Sequence, residues 1–92
     1  MQYNLTLSQE AEDAVYNAKE WYEQQRQGLG VEFLVAIDNA FLSIQSNPLF
    51  YGFRKKNIRG YSVQRFPYVI FFSVKRGNIH VISFLHTSQK PK

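Results

Sequence analysis

A chain of 92 residues, 45% hydrophobic and 16% aromatic, can bury one core but not two, so residues 1–92 are expected to fold as a single domain. It contains no cysteine, which excludes a disulfide framework and thiolate metal sites. Its formal net charge of +4 divides unevenly: residues 1–38 hold all seven acids beside Lys19 and Arg26, whereas residues 39–92 hold nine cations and no acid.

Gln2 to Thr6 alternates, with Tyr3 and Leu5 on one face, and predicts a short strand. Ser8 follows with a side-chain oxygen able to accept an orphan amide of the next turn. Glu10, Glu12 and Asp13 then suit the positive end of a helix dipole. Ala11, Val15, Ala18 and Tyr22 recur at helical spacing, widened by Ala14 and Trp21, and predict an amphipathic helix from about residue 8 to about residue 25. Gly28 is placed to take a left-handed conformation beyond it. A second stripe of Leu34, Ile37, Phe41 and Ile44, flanked by Phe33 and Ala40, predicts a helix that stops at Asn47-Pro48, because proline disfavours helix in the residue before it. Two helices with a short glycine loop between them make an antiparallel hairpin.

After Pro48 the helical repeat gives way to the strand repeat. Tyr61 and Val63 alternate with Ser62 and Gln64, and predict a half-exposed strand. Val69 to Val74 is apolar on both faces, which predicts a central strand covered on both sides. Phe66-Pro67-Tyr68 connects these two tightly, Lys75-Arg76-Gly77-Asn78 is a turn, and Ile79 to Leu85 forms the next strand. The fold class is therefore α+β: a short N-terminal strand and a two-helix antiparallel hairpin packed on an antiparallel β-sheet meander of three strands. The expected core sets Val15, Tyr22, Leu34, Ile37 and Phe41 against Val69, Phe71 and Val81 or their face-mates. Phe50, Tyr51 and Phe53 lie at the helix-to-sheet junction, where at least two of the three are expected to plug the end of that core.

The chemistry available is narrow. His80 and His86 are the only imidazoles and have no acid near them in sequence, so neither zinc, which needs three or four ligands, nor a serine-hydrolase relay is expected. Gly28 and Gly30 are not followed by the Gly-Lys-Ser/Thr of a phosphate loop. No cofactor and no metal are expected. What remains is cationic. Arg54, Lys55, Lys56 and Arg59 can bind phosphates of a nucleic acid, by fork or by point charge. RNA cleavage would further need a base for the 2′-hydroxyl and a cation for the charge on phosphorus, roles open to His86 and Arg65. An acid-free half also suits an acidic protein partner. No opening segment has the basic flank and apolar run of a signal peptide, and no stretch nears about 18 apolar residues, so a cytoplasmic location without a membrane partner is expected.

An ordered set of segments resembles the RelE/ParE toxins of bacterial type II toxin–antitoxin modules. These are Ser8-Gln9-Glu10-Ala11-Glu12-Asp13 opening the first helix, Gly28 to Phe33 between the helices, and Asn47-Pro48 ending the second. Phe66-Pro67-Tyr68 before an aromatic strand and His86-Thr87-Ser88-Gln89-Lys90-Pro91 after the last strand complete it. The resemblance implies two helices on an antiparallel sheet, a cognate antitoxin partner, and one of two targets. RelE-like members cleave mRNA on the ribosome, with Arg65 and the Lys55-Lys56 pair matching their cationic positions. ParE-like members poison DNA gyrase without catalysis, and a toxin retaining only antitoxin binding is a third form. The sequence departs from the RNase pattern at Gln89, where an arginine is common, and it has no aromatic residue after Phe84.

Overall fold

In a computed structural model that describes residues 3–88, the elements run β1 (Asn4–Leu7), α1 (Gln9–Gln25), α2 (Leu29–Ser46), a 3-10 turn (Pro48–Phe50), β2 (Phe53–Lys55), β3 (Ile58–Ser62), β4 (Tyr68–Lys75) and β5 (Asn78–His86). Gln2, the first residue of the expected strand, and Gln89 to Pro91 of the C-terminal motif lie outside the described residues. Ser8 opens α1 as expected: its Oγ accepts from the Ala11 amide at 3.0 Å and donates to the Ile82 carbonyl at 2.8 Å. One hydroxyl thus caps the helix and ties it to the sheet.

The sheet has five strands in the order β1-β5-β4-β3-β2. The meander therefore has four strands rather than three, because Phe53–Lys55 pairs with β3 across a two-residue turn at Lys56-Asn57. Asn57 there takes φ 62°, a left-handed conformation that asparagine tolerates. β1 adds at the far edge, parallel to β5, with Leu5 opposite Ile79 and Leu7 opposite Val81. In β5 an extra residue, Ile82, faces the Phe71–Phe72 step of β4, so Ser83 pairs with Phe71 and Val81 with Phe72. That bulge reverses the alternation along β5: Ile79 and Val81 point to the helices before it, Phe84 after it.

Both helices cover one face of the sheet. Phe33, Ile37, Ala40 and Ile44 of α2 pack with Ala11 and Ala18 of α1 on Ile70, Phe72, Ile79, Val81 and Phe84. The inner face of α2 is thus centred one position away from the expected stripe, and Leu34 and Phe41 are only partly buried. Trp21, read as widening the α1 stripe, is exposed. An aromatic cluster joins the layers, with Phe33 stacked on Tyr22 at 5.1 Å and edge-on to Phe66 at 5.1 Å. By length and composition α2 is long and apolar enough to cross a membrane, but its inner face packs here as a core helix's does.

β4 is central, as expected, but covered on one side only. Its Val69 and Phe71 point away from the helices onto an open face shared with Ile58, Ile82 and Leu85. Strand apolarity on both sides therefore reflects a core face and an uncovered apolar face, not a second covering layer. The helix hairpin closes on Gly28 (φ 88°), whose amide and that of Gly30 both donate to the Glu23 carboxylate at 3.0 and 2.9 Å. Those two amides hold the Glu23 carboxyl below its usual 4.5.

Candidate functional site

The β2–β3 hairpin carries four of the expected ligands, and they divide into two kinds. Arg59 is a structural brace. It donates to the Tyr51 carbonyl at 2.7 Å and the Leu49 carbonyl at 3.4 Å, and its guanidinium lies 4.0 Å from the centre of the Phe53 ring. Arg54 lies across Gly60: a Cβ built on that glycine would meet Arg54 Cγ at 2.6 Å, so glycine is what lets the arginine stem lie flat on the open face. Lys55 and Lys56 are exposed at the hairpin tip and make no ion pair among the described residues.

Arg65 sits in the β3–β4 connection with φ 75°, a conformation that costs an arginine free energy and must be held by its surroundings. Its Nη2 donates to Glu32 Oε1 at 2.9 Å, and its guanidinium lies 5.1 Å from the Phe66 ring centre. Arg26 Nη1 binds the other oxygen of Glu32 at 3.2 Å. Arg65 first, then Arg26, keeps the Glu32 carboxyl below 4.5. The acid that engages Arg65 thus comes from the first turn of α2.

His86 ends β5 with its ring edge-on to Tyr68 at 5.1 Å. Its Nδ1 lies 3.1 Å from the Ser88 amide nitrogen and 2.7 Å from Ser88 Oγ. Burial, with Tyr22 beside it, pushes the Tyr68 hydroxyl up to about 12. His80, near the other end of β5, lies 3.3 Å from Thr6 Oγ1. Among the described residues no three potential metal ligands gather.

Three shallow hollows sort these groups. Arg65 and Glu32 line one of about 390 Å3 between α2 and β3, with Ala36, Asn39 and Tyr61. Arg54 and His86 line one of about 380 Å3 on the open face, floored by Val69, Phe71 and Leu85. His86 also borders a hollow beside Asn17 of α1. Directly opposite Tyr68 in register and edge-on to its ring, the His86 side chain turns to the helix side of the sheet, whereas Arg54 lies on the open face and Arg65 lines neither of their hollows.

Sequence reasoning missed two features. Glu32, the partner of Arg65, stands 33 positions away in the acidic half, and no local signal links them. Phe50 and Phe53 are 75% and 61% exposed, and only Tyr51 of the junction aromatics packs on the core, stacking edge-on to Tyr61 at 5.0 Å. The expectation that two of the three would be buried fails because Pro48 and Tyr51 already fill that end.

Comparison with known proteins agrees with this architecture. Residues 5–91 match the family described as ParE toxin of type II toxin-antitoxin system, parDE. Among solved structures, a chain of the chromosomal ParDE TA system from P. aeruginosa superposes with a TM-score of 0.78 at 14% identity, covering 92% of this chain and 96% of that one. No curated protein sequence matches.

Proposed function

The chain belongs to the ParE toxin family of type II toxin–antitoxin systems, and we propose that it arrests growth by binding DNA gyrase without catalysis, silenced by a cognate antitoxin. One observation carries the choice of target class. Cleavage needs a base and a cationic clamp converging on one phosphate, yet Arg65 is bound to Glu32 beside α2 while His86 lies at the end of β5. A folded surface with fixed cations and exposed apolar side chains is instead suited to stoichiometric binding. The antitoxin in this reading is a short acidic or amphipathic segment that folds as it covers the basic half.

The test is supercoiling by gyrase with and without purified toxin, alongside mapping of mRNA ends after induction in cells. Inhibited supercoiling with unchanged mRNA ends is the expected result. Ribosome-dependent mRNA cleavage with normal supercoiling would reverse the assignment, and tight antitoxin binding with neither effect would mark a toxin that has lost its target.

A further inference from the structure

Beside the basic hairpin, the short stretch that leads into β2 displays Leu49, Phe50 and Phe53, each more than half exposed. The same stretch buries Pro48 and half-buries Tyr51, so the segment is anchored while its large apolar side chains face outward. Arg59 fixes their arrangement, holding the Leu49 and Tyr51 carbonyls and covering one side of the Phe53 ring. A braced apolar knob loses little conformational freedom on binding. Lys55 and Lys56 follow at the hairpin tip, and residues 39–92 contain no acid.

We infer that this knob is the anchor by which the toxin grips its target, and that its occupant is a folded, acidic protein surface with an apolar pocket rimmed by carboxylates. The inference rests on the binding reading above and names the residues that perform it. Three large apolar side chains held outward argue for a preformed pocket that receives them, since a segment that folds on binding lies in a groove of its host. Single-stranded nucleic acid fits less well, because stacking needs free ring faces. Leu49 has no ring, and one face of Phe53 is occupied by Arg59. Exposed aromatics ringed by opposite charge are the pattern of interface anchors that carry most of a binding energy.

The experiment compares wild type with Phe50→Ser, Phe53→Ser and the double variant Lys55→Glu/Lys56→Glu, all at exposed positions. Each is followed by circular dichroism, antitoxin capture, inhibition of gyrase supercoiling and binding to a single-stranded oligonucleotide. Native spectra, with at least about tenfold more toxin needed to inhibit gyrase and antitoxin capture weakened by a smaller factor, are expected for the serine variants. The charge reversal should act in the same direction and does so without touching an apolar contact. Folded variants that inhibit gyrase as wild type does would remove the knob from the interface. Loss of antitoxin capture would assign it to the antitoxin, and loss of oligonucleotide binding in parallel with inhibition would assign it to nucleic acid. A wild-type toxin that never inhibits gyrase overturns the binding reading itself, and this inference with it.

Discussion

Arg65 Nη2 and Glu32 Oε1 meet at 2.9 Å across 33 positions of sequence, while Arg26 holds the same carboxylate from the end of α1. Three exposed side chains thereby tie the β3–β4 connection to the helix hairpin. Exposed ion pairs contribute little to stability, so the consequence is positional: the arginine is held beside α2. Arg65→Ala is accordingly expected to leave the urea midpoint almost unmoved and growth arrest nearly intact. A steep loss of activity in the folded variant would restore Arg65 as a transition-state clamp.

Acid should loosen the hairpin. Glu23, through the Gly28 and Gly30 amides, and Glu32, through Arg65 and Arg26, both have carboxyls lowered below 4.5 in the fold. A lowered folded value means the unfolded chain takes up protons first. Their contribution is complete above about pH 4.5 and is lost as pH falls through the lowered values. Urea midpoints measured downward from neutral pH should therefore drop on the acid side, and the double variant Glu23→Gln/Glu32→Gln should flatten that drop.

Tyr68 gives the opposite limb. Its hydroxyl titrates near 12 rather than 10, so its neutral form stabilises the fold below about pH 10, and that contribution fades as pH rises toward 12. Tyr68→Phe removes the titrating group and should reduce the alkaline loss of stability followed by circular dichroism.

Gly30 marks where the two helices touch. A Cβ there would meet Glu23 Oε1 at 2.9 Å and the Lys19 carbonyl at 3.0 Å, and the carbonyl belongs to backbone that cannot swing away. Gly30→Ala should cost about 1–3 kcal/mol by overpacking, read as a lowered thermal midpoint. Gly52, where an added Cβ would meet nothing within 4 Å, serves as the neutral control.

Ile37 is 1% exposed at the centre of the helix–sheet interface, whereas Phe41 lies at its margin. Ile37→Ala should cost about 2–5 kcal/mol through lost transfer energy and a residual cavity, a large share of a small domain's stability. Phe41→Ala should cost less. Equal losses would place the centre of the α2 stripe on the Leu34–Phe41 side.

Both helices were legible because their signals are local: the Ser8 cap, the stripes and the Asn47-Pro48 stop all lie within a few residues of what they determine. β2 was not, since three residues are too few to show a period. Nor was the second face of β4, because apolar residues look the same whether a layer or solvent covers them. The cations could be read as a set from the charge asymmetry, but not their grouping. Arg59 binds backbone carbonyls, which leave no trace in sequence, and Glu32 lies in a distant element.

The parallel pairing of β1 with β5 joins residues 4–7 to residues 78–81. Such pairing delays completion of the sheet until residues 78–81 are available. During synthesis the helix hairpin can form early, but its apolar inner face has no finished sheet to rest on until β5 emerges. The hairpin's apolar inner face therefore stays open to other partners until β5 has left the ribosome and the sheet can close on it.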